Sequence, residues 1–177
     1  MARPARRLLP IAGGALLLAA IAGAAWLLPG SAPSVPDLPR IDRIVVHKAA
    51  REMQLWSGGR LVHTMRGVAL GDAPVGHKQF EGDEKTPEGR YAIDFRNPQS
   101  SYHLSLRISY PDARAAALAS AQGRSPGGEI YIHGQPNWLK AGRLNGDWTD
   151  GCVAVSNGEI EALWRAVALG AVVDVLP

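Results

Sequence analysis

Asp147–Asn157 reads DWTDGCVAVSN, and it holds the only cysteine of the 177-residue chain, Cys152. Val153-Ala154-Val155 is a short β-branched and small run that predicts a strand. Asp150-Gly151 before it is a turn signal, and glycine there frees the backbone for a conformation other residues avoid. Ser156-Asn157-Gly158-Glu159 after it matches a capping box, with serine at the cap and glutamate three residues on. Ile160, Leu163, Trp164 and Val167 then fall at helical spacing. The stretch therefore predicts turn, strand and helix in close order, with a thiol at the mouth of the strand. Backbone N–H groups of Gly151 and Cys152 are placed to face an oxyanion.

Working outward, Gly170 is expected to stop that helix, and AVVDVL after it reads as a closing strand. Upstream, Ile44-Val45-Val46 and Met53–Trp56 read as strands, Ser57-Gly58-Gly59 as a hairpin turn, and Leu61–Met65 as the return strand. Thr86-Pro87-Glu88-Gly89 has the proline and glycine of a tight turn, and Arg90–Phe95 follows as a strand. YHLSLRISY alternates. PDARAAALASAQG predicts a helix capped by Asp112 and stopped at Gly123. GEIYIHG is a strand ending at His133. The sum is a mainly β, mostly antiparallel domain with two helices, sandwich- or barrel-like.

The N-terminus has a different character. Arg3, Arg6 and Arg7 precede Leu8–Leu28, which carries no charged side chain. About 20 apolar residues suffice to span a membrane, and arginines before a span stay on the cytoplasmic side. Two readings of residues 1–28 stand: an uncleaved signal anchor, or a signal peptide cut at Ala22-Gly23-Ala24. Both export the remainder, to the periplasm if the cell has two membranes. Residues 29–40, PGSAPSVPDLPR, form a Pro/Ser linker that is extended and semi-rigid. One domain follows, residues 41–177.

The chain has 19 Lys+Arg against 16 Asp+Glu, a net charge of +3. The three excess cations are those ahead of the apolar run, so the exported part is neutral. No nucleic-acid partner is implied, because that needs a basic patch on the folded domain. In an oxidising compartment structural cysteines come in pairs. An unpaired exported thiol is either buried and inert or kept for chemistry.

A nucleophilic cysteine needs a base, most often histidine. Of five histidines, His133 stands at a strand end beside Gly134, 19 residues before Cys152. A zinc site on His133, Asp150 and Cys152 is a rival use of the same residues, but no further ligand pattern completes it.

His133-Gly134, a spacer, then Thr149-Asp150-Gly151-Cys152 and Asn157 resemble the L,D-transpeptidase (YkuD-type) catalytic domain. GHKQFEGDEKTPEGRY and YHLSLRISYP resemble its YafK-like branch from Gram-negative envelopes. The resemblance implies a YkuD-like β-sandwich or barrel behind an N-terminal hydrophobic helix. It implies Cys152 as nucleophile and His133 as base, with the Gly134 carbonyl orienting the imidazole and Gly151 and Cys152 amides in the oxyanion hole. It implies peptidoglycan stem peptide as substrate, attacked at the L-centre of meso-diaminopimelate, and no metal or cofactor.

Two positions depart from the commoner family pattern. Asp150 stands where a histidine is usual, and Ala154 where an arginine is usual. Arg143 or Arg107 is a candidate substitute for that arginine. Trp148, Thr149 and Asn157 join Arg143 as candidate substrate-binding residues, with Trp138 also flanking the spacer. Three outcomes remain open: transpeptidation, hydrolysis that frees protein such as an envelope lipoprotein from peptidoglycan, or a degenerate module that binds without turnover.

Overall fold

The computed structural model describes residues 37–177. The expected anchor or signal segment and residues 29–36 of the linker lie outside the described residues. Among the described residues no helix is long and apolar enough to cross a membrane.

Strands β1 (Ile41–His47), β2 (Glu52–Ser57) and β3 (Arg60–Arg66) form an antiparallel meander. The β2–β3 turn is Gly58-Gly59, with φ of 56° and 77°. Two consecutive left-handed residues are what a tight hairpin needs to match the strand twist. Strands β4 (Gly89–Asn97) and β5 (Ser105–Ile108) form a second hairpin, followed by helix α1 (Ala113–Ala121) and strand β6 (Tyr131–His133). Asp112 caps α1 by accepting from Ala115 N at 2.7 Å, so an orphan donor of the first turn is satisfied. The last elements are β7 (Val153–Ala154), α2 (Asn157–Ala166) and β8 (Val167–Leu176).

The strands join as one curled sheet in the order β3-β2-β1-β8-β4-β5-β6-β7. Five of its seven joints are antiparallel, whereas β1–β8 and β6–β7 are parallel. The curl nearly closes. Ala69, just past edge strand β3, exchanges two backbone hydrogen bonds with Ala154 of the opposite edge strand β7, at 2.9 and 2.8 Å. The mainly β architecture with two helices is as expected, and the curl makes it barrel-like.

One boundary differs. Helix α2 ends at Ala166, and Val167 already belongs to β8. Gly170 is not the helix stop; it sits inside β8 with φ 84°, where the register jumps from Ile41–Val167 to Arg43–Val172. The glycine serves a bulge. The helix is stopped instead by a tertiary contact. Arg96 of β4 donates to the carbonyls of Trp164 and Val167 and lies 4.3 Å from the Trp164 ring centre.

Inside the curl, Ile44, Met53, Leu55, Leu106, Val155, Ile160 and Leu163 are all fully buried. Each such side chain contributes about 1.5–3 kcal/mol relative to exposure. Helix α2 buries Ile160 and Leu163 against this core, and so fixes the chain that leaves Cys152.

Candidate active site at the mouth of β6 and β7

Parallel pairing sets Ile132 opposite Val153 and His133 opposite Ala154. Extending that register by one residue places Cys152 opposite Tyr131, and Tyr131 N–H donates to Cys152 Sγ at 3.4 Å. The thiol also points at Glu129 O, 3.7 Å away. Alternation puts Tyr131 and His133 on one face, so the imidazole follows the thiol along the same strand pair. Both line a cleft of about 580 Å³, together with Tyr102, Trp148, Thr149 and Asp150.

His133 is only 3% exposed. Its Nδ1 lies 2.7 Å from Gly134 O. A carbonyl can only accept, so Nδ1 carries the proton and Nε2 keeps its lone pair. The ring is held between Tyr102, 4.5 Å between centres, and Trp148, 5.8 Å and steeply inclined. Gly134 has to be glycine here, because a Cβ would lie 2.7 Å from Asn157 Oδ1 and 2.9 Å from Ile160 Cγ2.

The loop that delivers Cys152 is tied at several points. Thr149 Oγ1 donates to Cys152 O at 2.8 Å and accepts from Gly151 N at 3.2 Å. Thr149 N–H reaches Leu70 O at 3.1 Å, and Asp72 N–H reaches Thr149 O at 2.9 Å. Asp147 accepts from Leu70 N at 2.9 Å and pairs with Arg51 at 2.6 Å. Gly151 has φ 126°, and a Cβ on it would lie 2.6 Å from Lys85 O. Conformation and space both demand glycine at that step.

At rest the pair is neutral. Burial pushes the Cys152 thiol up to about 11; Asp150 and Glu129 push the same way, while Tyr131 N–H and Lys78 oppose. Burial pushes His133 down to about 4, against the Gly134 carbonyl, which favours the charged ring. Burial therefore opposes the charged form of both groups, and the neutral thiol and imidazole are the resting state.

The structure thus brings Cys152, His133, Gly134, Gly151, Asp150, Trp148 and Thr149 together. The Gly151 amide, expected in the oxyanion hole, is already engaged by Thr149 Oγ1. Arg143 is not in the cleft. It donates to Arg66 O at 3.0 Å and Gly67 O at 2.5 Å, and pairs with Glu159 of α2. Arg107 is bound to Asp94 at 2.9 Å and Glu129 at 3.0 Å. Ala154 is buried in the edge-closing bridge and brings no charge to the cleft. Asn157 accepts from Gln135 N at 2.8 Å and shapes the turn after Gly134 rather than the cleft lining. Trp138 is 67% exposed on the surface. His103 pairs with Glu161 at 2.7 Å. Among the described residues no group of three His, Cys, Asp or Glu is placed to hold a metal ion.

Sequence reasoning missed Tyr102 and Tyr131, which read as ordinary strand aromatics. His77-Lys78 and Glu81-Asp83-Glu84 read either as shapers of the cleft or, by preference, as a solvated charged loop; the structure buries Lys78 on Asp83 in the cleft wall.

Residues 41–175 match a family model described as YkuD, the L,D-transpeptidase catalytic domain. Among solved structures, the chain is similar to the helical cell shape determining protein Pgp2 of Campylobacter jejuni. The TM-score is 0.60 at 26% identity, over 77% of this chain and 48% of that one. It is similar in fold to Bd1075 of Bdellovibrio bacteriovorus, with TM-score 0.54 and 23% identity over 80% and 49% of the two chains. It also shares its fold with an L,D-transpeptidase from Mycobacterium smegmatis, with TM-score 0.50 and 14% identity over 76% and 58%. The chain spans about half the length of Pgp2 and Bd1075. No curated protein sequence matches it.

Proposed function

Because the chain belongs to the YkuD-type L,D-transpeptidase catalytic-domain family, we propose that it is a cell-envelope cysteine enzyme that cleaves peptidoglycan stem peptides through a thioester on Cys152. The attacked carbonyl is that of the L-centre of meso-diaminopimelate. The product is either a new linkage, as in an L,D-transpeptidase, or a hydrolysed one, which includes release of a peptidoglycan-attached envelope lipoprotein. The protein works in the periplasm, held to the inner membrane by residues 8–28 or secreted after their removal. Its chemistry draws on side chains and backbone alone, without metal or cofactor.

The observation that carries this reading is a pinned imidazole in the same cleft as the only thiol. His133 Nδ1 is fixed on Gly134 O at 2.7 Å, which leaves Nε2 as a base in the cleft that Cys152 lines. Nε2 takes the Sγ proton as sulfur attacks the carbonyl carbon. The tetrahedral oxyanion is met by the Cys152 amide, with the Gly151 amide joining if Thr149 Oγ1 releases it. Collapse expels the amine, which takes the proton from His133. An amine or water then gives a proton to His133, attacks the thioester and returns the thiol. Trp148 and Tyr102 hold the ring and wall the cleft against water.

A second reading, a peptidoglycan-binding module without turnover, is favoured by one observation: the resting thiol is pushed up to about 11, partly by Asp150. One digest separates the two. Sacculi carrying cross-links and attached protein are incubated with the wild type and with Cys152→Ala, and the muropeptides are read by mass spectrometry. Only the wild type is expected to change the pattern. New diaminopimelate linkages identify transfer, and freed protein or shortened linkages identify hydrolysis. If neither protein changes the pattern and both pellet with the sacculi, the binding module replaces the enzyme.

A further inference from the structure

A thiol attack creates negative charge on sulfur, and the usual sources of a compensating positive charge are absent from this site among the described residues. Helix α2 starts at Asn157, beyond β7, so no helix N-terminus faces Cys152. Arg143 and Arg107 are bound elsewhere. One cation does line the cleft among the described residues, Lys78.

Lys78 has 3% of its side chain exposed, and its Nζ lies 2.9 Å from Asp83 Oδ1, itself 5% exposed. An ammonium has three donors, and Asp83 is the one hydrogen-bond partner of this one among the described residues. The same carboxylate accepts from Gln79 N at 2.6 Å, Phe80 N at 3.3 Å and Lys85 N at 3.2 Å. One aspartate thus both folds the 78–85 segment and fixes the lysine. That segment is packed backbone to backbone on the cysteine loop, where Lys85 O lies 2.6 Å from the position of a Gly151 Cβ, and on the chain after β3, where Glu84 O lies 2.2 Å from the position of a Gly71 Cβ. A hydrophobic pair of similar size would be no less stable in most buried positions, so packing alone does not call for a charge here.

We propose that Lys78, held by Asp83 in the wall of the cleft, is the cation that stabilises the Cys152 thiolate as its proton passes to His133. The step breaks S–H and forms N–H on Nε2, and the ammonium keeps its own protons throughout. Lys78 makes no hydrogen bond to Sγ; it acts through its field, which is strong in a wall shielded from water. The other groups around the thiol are Asp150 on its own loop, Glu129, Tyr131 and His133 on the β6 side, and Glu81 and Glu84 on the lysine's segment. The carboxylates oppose the thiolate. Glu129 is already engaged by Tyr131 and Arg107. Lys78 is also among the groups that pull the thiol down.

The inference rests on Cys152 as nucleophile, as in the proposed function, but its test needs no peptidoglycan. Cys152 is the only cysteine, so iodoacetamide reports a single site. Alkylation rates from pH 6 to 10 are compared for the wild type, Lys78→Met, Lys78→Arg and Asp83→Asn. Lys78→Met is expected to slow alkylation at pH 8 by about tenfold or more, because the thiolate fraction falls about tenfold when the thiol pKa rises by about one. Lys78→Arg should stay within about threefold of the wild type. Asp83→Asn removes the contact that fixes the lysine and should move the rate away from the wild type. A folded Lys78→Met with the wild-type profile overturns the proposal, as does an Asp83→Asn with an unchanged rate. If Lys78→Met does not fold, an altered Asp83→Asn rate supports the proposal and an unchanged one overturns it. A wild type inert on sacculi whose thiol still depends on Lys78 removes the proposed function and leaves this inference standing.

Discussion

At the scale of single residues, the site is built from groups that gain their meaning from neighbours close in sequence. Gly134 follows His133 and supplies the carbonyl that sets its tautomer. Gly151 precedes Cys152 and takes the φ of 126° that a side chain would resist. The Gly151 turn was legible in its own stretch, whereas the part of the Gly134 carbonyl entered only through the family resemblance. The charge state of the pair was not legible in the sequence. His133 is pushed down to about 4 because β6, Tyr102 and Trp148 enclose it. In the unfolded chain the ring titrates near 6.5, so between roughly pH 6.5 and 4 the unfolded state binds the extra proton. Stability from this group is complete above about 6.5 and is lost as pH falls toward 4, a change of about 3 kcal/mol. Urea unfolding at pH 7 and pH 4.5 should show the loss, and His133→Asn should show less of it. An unchanged difference in the variant would assign the acid sensitivity to other groups.

At the scale of elements, the strongest signals were caps and turns. The capping box at α2 is complete: Ser156 Oγ accepts from Glu159 N at 3.3 Å, and Glu159 Oε2 accepts from Ser156 N at 2.8 Å. Glu159 also pairs with Arg143, so the start of α2 is tied to the end of β3. Ser156→Ala should cost about 1 kcal/mol in urea unfolding. Activity at 25 °C should be retained, since Ser156 lines no part of the cleft. A larger loss of activity than of stability would mean that the cap sets the position of Cys152 four residues earlier. The far end of α2 differs from its sequence reading because Gly170 resembles a helix stop, while the true stop is Arg96, distant in sequence. A bulge glycine and a cap glycine look the same until the partner strand is known.

For the whole molecule, the parallel β1–β8 joint is decisive. It brings the first and last strands together, and Asp174 on β8 binds Arg43 of β1 and Arg90 of β4, both at 2.7 Å. The Arg90 hydrogen bond, helped by Arg43, holds the Asp174 carboxyl below the usual carboxylate range. Its stabilising contribution is present above the unfolded value near 3.9 and is lost as pH falls through the depressed folded one. Asp174→Asn should lower stability at pH 7 by about 2 kcal/mol, because two charge-assisted bonds to a mostly buried carboxylate weaken together. The deficit should shrink in strong acid, as pH falls through the depressed folded value and the wild-type carboxylate is protonated too. Calorimetric melting at both pH values checks this, and a pH-independent deficit would point to packing instead.

By itself the sequence determined the alternation of strands and turns, the two helices and the capping box, which rest on local propensity and contiguous spacing, properties of a chain before it folds. The pairing of His133-Gly134 with Gly151-Cys152 came from the resemblance to the L,D-transpeptidase family, not from spacing. Tertiary structure alone decided which strands are parallel, that the curl closes through Ala69 and Ala154, and that Arg143 turns away from the cleft. It also decided that Lys78, 74 positions before Cys152, stands in the wall beside it. The reason is physical. Long-range pairing is chosen by the burial of a shared core, and the same burial pushes the thiol up and the imidazole down.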